Sequence, residues 1–149
     1  MAVLARQGRA GQPRAHGIAD EVDGIVLVED LAQAPGRIGI EQRHRHAELE
    51  LHLVAHGHGV FLVGRTRIDA TPGTMLWVRP GEDHTLLEAS RDFRRWMLLA
   101  RRRVVRRVVP VRDVRRLLSD DGGQADGAGL CRALPLHAAR PLAQRLAEV

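Results

Sequence analysis

His44-Arg45-His46-Ala47-Glu48-Leu49-Glu50 is the stretch of sequence that decides how this chain is interpreted. Side chains of an extended strand alternate between its two faces, so residues 44, 46 and 50 project to one side. Two imidazoles and a carboxylate on one face are typical ligands of a first-row divalent metal. A third imidazole, His84, completes the set if a later strand lies beside this one. The stretch therefore predicts a metal site of three nitrogens and one oxygen that joins two parts of a sheet.

The strand that continues this stretch, residues 48–55, alternates clearly between two kinds of position. One face carries Leu49, Leu51 and Leu53, and the other carries Glu48, Glu50, His52 and Val54. A strand that is apolar on one side and bears ligands on the other needs cover on both. In a barrel, one face would line the cavity and the other would pack beneath a helix or a second subunit.

Short strand-like runs separated by glycine and proline make up most of the first 100 residues. The segment His56-Gly57-His58-Gly59 is a tight turn, because only glycine adopts positive φ freely. This regular punctuation is typical of an all-β sandwich or barrel. The other strands are predicted at residues 24–29, 37–46, 60–63, 66–70, 75–78, 84–88 and 93–99.

The sequence changes character after residue 100. Residues 101–111 are rich in valine and fit either a strand or a strained helix, with a break near Pro110. Residues 111–119 predict a short amphipathic helix, and residues 120–129 a loop. A second amphipathic helix follows, with Pro141 in or before its first turn. It shows no C-terminal cap signal, so we expect either a frayed end or the front part of a longer polypeptide.

These patterns divide the chain into three parts. Residues 1–20, rich in Gly, Arg, Ala and Pro, predict a mobile N-terminal arm. Residues 21–111 predict a β-barrel, and residues 112–149 a helical C-terminal extension that packs on the barrel or on a second subunit. At 149 residues and 16.5 kDa, the chain is long enough for one domain with its own core.

The amino-acid composition indicates the cellular compartment and the kinds of binding partner that are expected. A single cysteine, Cys131, excludes an internal disulfide, and we expect it to be a small buried hydrophobe. There is no apolar run long enough to span a bilayer and no signal-peptide core, so a cytoplasmic protein without a membrane partner is predicted. The net charge is +5, and all 23 basic residues are arginine. The arginines of residues 101–107 could meet an anionic partner, but a solvated face is the favoured interpretation.

The spacing of the candidate ligands resembles the two motifs of the cupin superfamily. The first motif, H-x-H-x(3)-E-x(6)-G, is matched at His44, His46, Glu50 and Gly57. The second, G-x(5)-P-x-G-x(2)-H, is matched at Gly73, Gly81 and His84. The departures lie outside the four ligand positions: Arg79 stands in place of the motif's proline with Pro80 just after it, Glu88 replaces a closing Asn, and Gly39 is displaced by one residue. The resemblance implies a cupin-type double-stranded β-helix, or jelly-roll barrel, with one or two C-terminal amphipathic helices.

In this interpretation one divalent transition metal, Fe, Mn, Ni, Co or Zn, is bound by His44, His46, Glu50 and His84. The alternative is that these imidazoles are packed or solvent-facing side chains without a metal. The second His-x-His pair, in the tight turn, is not expected to bind the ion.

Three further residues are weaker candidates for contact with a bound molecule. Glu48 is expected at the solvated rim, and His52 deeper, lining the cavity or supporting a ligand. Trp77 is favoured as a core residue over a substrate platform, and Trp96 and Phe61 are assigned to the core.

Taken as a whole, residues 25–149 are similar to the sensor half of AraC-type bacterial transcription regulators. The resemblance implies a barrel that binds a small-molecule effector and trailing helices that form a homodimer. No helix-turn-helix pattern follows residue 112, so this chain by itself is not expected to bind DNA. The alternative function is a small stand-alone cupin metalloenzyme of the dioxygenase or isomerase type, acting on a small-molecule substrate. A non-enzymatic carrier of small molecules is a third possibility.

Overall fold

The computed structural model describes residues 3–4, 25–31, 42–118 and 131–147. Nearly half of these residues lie in strands and about a quarter in helices, which makes the domain predominantly β. The strands are β1 (Val3–Leu4), β2 (Ile25–Leu31), β3 (Leu49–His56), β4 (Gly59–Val63), β5 (Thr66–Ala70), β6 (Thr74–Val78), β7 (His84–Ala89), β8 (Arg94–Ala100) and β9 (Cys131–Ala133). The helices are α1 (Arg102–Val108), α2 (Val111–Leu118) and α3 (Leu136–Ala147).

The strands form two sheets. One has the order β1-β2-β8-β3-β6-β9, and the other has the order β5-β4-β7. All described strand pairs are antiparallel except β1 with β2. From β5 to β8, consecutive strands alternate between the two sheets, as in a jelly roll, and the fold class predicted from the sequence is confirmed. None of the described helices is both long and apolar enough to cross a bilayer.

Strand β3 lies at the centre of the larger sheet and shows the predicted alternation. Glu50 stands opposite Val78 of β6 and Leu99 of β8. Because paired residues share a face, the inward side of β3 continues onto both neighbours. The main core lies on this side, between the two sheets, and consists of Val54, Phe61, Val63, Ile68, Ala70, Leu76, Val78, Leu86 and Phe93.

The opposite face of β3 packs against the helices. Leu53 is buried with Trp96 and with Ala139 of α3. Leu49 is buried with Val105 of α1 and with α2. A cavity of about 210 Å³ remains between this face and α3, and it is lined by leucines together with Met75 and Trp96. The sequence analysis expected this face to pack beneath a helix or a second subunit, and the structure shows that helices cover it.

The tight turn between β3 and β4 has the predicted glycine geometry, because Gly57 has a φ of 69°. Trp96 and Phe61 are buried, as expected. Cys131 is only half-buried against the main core, and burial raises the pKa of its thiol.

The C-terminal region differs from the sequence prediction in several places. Residues 102–108 form a helix, so the described part of the chain has three helices and not one or two. Helix α3 begins at Leu136, which places Pro141 in its second turn. It begins early because the carbonyl of Pro135 accepts hydrogen bonds from the next turn. Strand β9 was not anticipated, since three residues with two exposed side chains carry no recognisable pattern.

The N-terminal region is only partly described. Of the predicted mobile arm, residues 1–20, the structure describes Val3–Leu4, which pair with β2, and the remainder lies outside the described residues. The predicted strand over residues 37–46 is described from residue 42 onward. There it is an irregular segment with one isolated bridge, at His44.

Candidate metal centre

The backbone brings the first and last candidate ligands side by side. His44 and His84 form an isolated antiparallel bridge, with N···O distances of 3.1 and 2.9 Å between their backbone groups. The backbone N–H of Gly81 donates to the carbonyl of His46 at 2.7 Å. Strand β7 and the loop before it therefore hold the segment before β3 at two points. Of the four predicted ligands, Glu50 lies inside β3 and His84 is the first residue of β7. The other two, His44 and His46, precede β3.

Four side chains converge at this place. One donor atom from each of His44, His46, Glu50 and His84 lies within 4.8 Å of the donor atoms of the other three. Donors bound to one ion at about 2.1 Å each lie no more than about 4.2 Å apart, so small side-chain movements suffice to hold a metal. Three imidazoles and one carboxylate also fit the preferences of first-row divalent metals. Among the described residues, no other group of three or more histidine, cysteine or acidic side chains could hold an ion.

Two of the imidazoles are oriented by the backbone. Nδ1 of His44 donates to the carbonyl of Gln42 at 2.9 Å, and Nδ1 of His84 donates to the carbonyl of Glu82 at 2.9 Å. A hydrogen on Nδ1 fixes the tautomer and leaves the Nε2 lone pair for an ion. Such backbone carbonyls commonly support metal-binding histidines, and no side-chain pattern in the sequence identifies them.

Glu50 is the centre of the cluster. It is 2% exposed, and its Oε2 lies 2.6 Å from Nε2 of His46 and 3.2 Å from Nε2 of His84. Burial alone would raise the pKa of Glu50, but the charge of His52 and close polar contacts with the surrounding imidazoles outweigh it and hold the pKa well below its usual value. The carboxyl group is therefore ionised and ready to bind a cation.

His52 lies directly below Glu50 on the same face of β3. Its Nε2 lies 2.7 Å from Oε1 of Glu50, and the side chain is 1% exposed. Burial lowers the pKa of His52. The structure thus places His52 deep in the interior, where the sequence pattern had expected it.

Glu48 lies elsewhere than the sequence suggested, whereas Trp77 packs in the core as the sequence favoured. Glu48 was expected at a solvated rim but is 9% exposed, because it folds back until its Oε2 lies 3.6 Å from Nδ1 of His46. Trp77 packs against the cluster of α1 and α2. It is paired with Leu51 and so lies on the sheet face opposite to Glu50. This position agrees with the packing role, and contact of Trp77 with a bound molecule stays an untested prediction.

The second His-x-His pair lies away from the cluster. His56 and His58 are exposed around the β3-β4 turn. Nε2 of His58 is 3.7 Å from a carboxylate oxygen of Asp69, a half-exposed pair. The motif spacing, and not the His-x-His pair itself, distinguishes the residues that converge.

One buried charged residue was missed in the sequence. Arg95 is 2% exposed, and its guanidinium lies over the ring of Phe61 at 5.4 Å. It is opposite Val54 in the β3-β8 register, so it projects into the interior. In the predicted strand, residue 95 lies on the same face as Phe93 and Leu99, which are both buried. This alternation could have identified Arg95 as an interior residue.

Comparison with solved structures gives partial similarities. A predicted oxalate decarboxylase from Thermotoga maritima is 18% identical, with a TM-score of 0.41, over 48% of this chain and 60% of that one. The polyketide cyclase RemF from Streptomyces resistomycificus is 20% identical, with a TM-score of 0.42, over 54% of this chain and 56% of that one. An oxalate decarboxylase from Bacillus subtilis with Mn(II) centres is 15% identical, with a TM-score of 0.39, over 42% of this chain and 18% of that one.

The match thus spans less than two thirds of each of these proteins. No curated protein matches the chain in sequence. The family model described as the AraC-like ligand binding domain matches residues 36–147, which include all of the converging ligands and all three helices. The chain belongs to the AraC-like ligand binding domain family, which has the cupin-type fold.

Proposed function

We propose that this domain is the effector-sensing and dimerisation module of an AraC-type bacterial transcription regulator, and that it senses through a bound metal ion. The convergence of three imidazoles and one ionised carboxylate in a ligand-binding domain is the observation that carries the proposal. In this proposal His44, His46, Glu50 and His84 bind one divalent ion of Fe, Mn, Ni, Co or Zn.

The ion would supply a Lewis acid with open coordination positions for a small-molecule effector. The protein supplies a buried and preorganised donor set. Glu50 is ionised without the ion, and the tautomers of His44 and His84 are set by backbone carbonyls. An ion that replaces the internal hydrogen bonds of this cluster would therefore bind with little rearrangement.

Strand β3 connects the site to the helices. Glu50 lies on its inward face, while Leu49 and Leu53 on its outward face pack on α1 and α3. A change in the position of β3 on ligand binding would therefore alter the packing of the helices. We propose that these helices form the homodimer contact, that another part of the regulator binds DNA, and that the protein acts in the cytoplasm.

Two measurements test the proposal. Metal analysis after reconstitution should find about one divalent ion per chain, since the four donors form one site. Analytical ultracentrifugation should show a dimer whose dissociation constant changes when the metal is removed. A protein that binds no metal would overturn the ligand assignment, and a metal-loaded protein that stays monomeric would overturn the dimerisation role. Oxygen uptake with candidate substrates would instead support a metalloenzyme.

A further inference from the structure

The cavity between the larger sheet and α3 is separate from the candidate metal centre. On the sheet side it is lined by Leu53, Met75 and Trp96, and on the helix side by Leu142 and Leu146. The two remaining lining residues are also leucines, so the lining is entirely apolar within the described part of the chain. Because neighbouring residues of a strand project to opposite faces, the cavity lies on the side of β3 that faces away from the converging ligands.

Helix α3 is held against the sheet near its N-terminus. The backbone N–H of Leu134, two residues before the helix, donates to the carbonyl of Gly73 at 2.8 Å, and the preceding strand β9 pairs with β6. Ala139, near the start of the helix, is 5% exposed and packs with Leu53 and Trp96. These contacts fix the start of α3, so the cavity could close only if the rest of the helix moved by itself.

The second half of α3 is packed less tightly than its start. Ala139, Leu142 and Leu146 follow helical spacing and face the sheet together. Ala139 is buried, whereas Leu142 and Leu146 are only partly buried. Pro141 lies between the two parts of the helix, and without an N–H it cannot donate to the carbonyl of His137. The helix can bend at this point, so the content of the cavity influences the position of its second half.

We propose that this cavity binds a small apolar molecule about the size of one aromatic ring, and that the bound molecule supports the second half of α3. This site is additional to the proposed metal site and does not depend on it. An apolar cavity of roughly 150 Å³ engineered into another protein stays dry and takes up benzene. The cavity described here is larger, at about 210 Å³.

The lining also defines which ligands are unsuitable. A sugar or a carboxylate would lose its hydrogen bonds to water and find no partner among these side chains. The volume is smaller than the roughly 300 Å³ at which pockets for drug-sized ligands begin. The expected class is therefore single-ring aromatic or short aliphatic hydrocarbons and their close relatives.

Benzene is the probe, and the methyl groups of methionine report where it binds. The chain has three methionines, at residues 1, 75 and 97. Met75 lines the cavity, whereas Met97 is paired with His52 and lies on the inward face of the sheet. In NMR spectra of methyl-labelled protein with a chelator present, benzene should shift the Met75 resonance until saturation and leave that of Met97 unchanged. It should also slow amide hydrogen exchange in residues 142–146 at least about threefold.

A cavity-filling variant tests the location of the site. Leu142→Phe places a larger side chain in the cavity and should weaken benzene binding at least about tenfold, because no room for the ring remains. Leu136→Phe is the matched control, since it makes the same change on the same helix at a residue that is 49% exposed and does not line the cavity. It should bind benzene as the wild type does. Circular dichroism checks folding, and Leu146→Phe replaces Leu142→Phe if the latter does not fold.

Each contrary outcome overturns a defined part of the proposal. If benzene leaves Met75 unshifted, or shifts Met75 and Met97 equally, the cavity is not a ligand site. Undiminished binding in Leu142→Phe would place benzene elsewhere and would also overturn the site. Unchanged hydrogen exchange in α3 at saturation would overturn the support of the helix. Because the chelator is present throughout, failure of the metal site would not alter these results.

Discussion

Nε2 of His46 lies 2.6 Å from Oε2 of Glu50, although the two residues belong to an irregular segment and to a strand. In the absence of an ion this short contact is a charge-assisted hydrogen bond between an imidazole and an ionised carboxylate. An ion bound here replaces the proton between the two groups. Metal binding and protonation therefore compete for the same pair of atoms.

Removal of the imidazole of His46 should abolish tight metal binding. In His46→Ala the cluster loses one of its three nitrogen donors, and the dissociation constant for Co(II) should rise by at least about a hundredfold. Isothermal titration calorimetry measures this change. His56→Ala is the matched control, because His56 is an exposed histidine outside the cluster, and its affinity should stay close to that of the wild type. Equal losses in both variants would show that the wrong histidine pair was identified.

The metal-free protein should become less stable as the pH falls below about 6.5. Burial lowers the pKa of His52 from its ordinary value of 6.5, so the unfolded chain binds a proton at a pH where the folded chain does not. Unfolding is then favoured by a decrease in pH. The Glu50 pKa is lowered in the folded state, so its contribution is present above its ordinary value of 4.5 and is lost as the pH falls through the lower folded value.

Urea denaturation with a chelator present, between about pH 7.5 and pH 5.5, measures this dependence. His52→Gln removes the titrating group and keeps a polar side chain beside Glu50. Its urea midpoint should vary less over this range than that of the wild type. If the two slopes were the same, His52 would not be the group responsible.

Glu48 should support metal binding from behind His46. Its Oε2 lies 3.6 Å from Nδ1 of His46, on the side of the ring away from Glu50. A carboxylate there favours a hydrogen on Nδ1 and so leaves Nε2 for the ion. Glu48→Ala should raise the metal dissociation constant about tenfold. Glu88→Ala is the control, because Glu88 is exposed and pairs with Arg67, and an equal effect in both variants would exclude a specific role for Glu48.

Much of this centre could be predicted from spacing, because the alternation of a strand is a strong constraint. Glu50, His52 and Val54 share the inward face of β3 as expected, and Leu53 faces the helices. The residues before β3 were a different case. They were expected to form a strand, yet His44 and His46 lie in an irregular segment that β7 and its preceding loop hold in place through backbone hydrogen bonds.

Other features depend on tertiary contacts that a single sequence does not reveal. Glu48 is buried because its carboxylate turns toward His46, a choice of side-chain conformation that strand parity does not determine. Helix α2 begins at the predicted residue, but Val111 is 88% exposed and only its later apolar residues pack. Strand β9 exists because β6 offers an edge to Cys131–Ala133, and not because those three residues favour a strand.

The tight turn below β3 should tolerate no side chain at Gly57. Its φ is 69°, and a Cβ atom added there would lie 2.5 Å from Oγ of Ser90 and 2.7 Å from Cα of Phe93. Gly81 is a matched control, since its φ is 80° but an added Cβ meets nothing within 4 Å. Gly81→Ala should cost about 1 kcal/mol for the left-handed conformation alone, and Gly57→Ala about 3 kcal/mol or more, because steric overlap adds to the same strain.

Urea denaturation of the metal-free variants gives both free energies of unfolding. Because Gly81 keeps its backbone hydrogen bond to His46, Gly81→Ala should also keep its metal affinity. Equal destabilisation of the two variants would mean that Ser90 and Phe93 move aside, and that the turn does not lock the end of β3 as the contacts indicate.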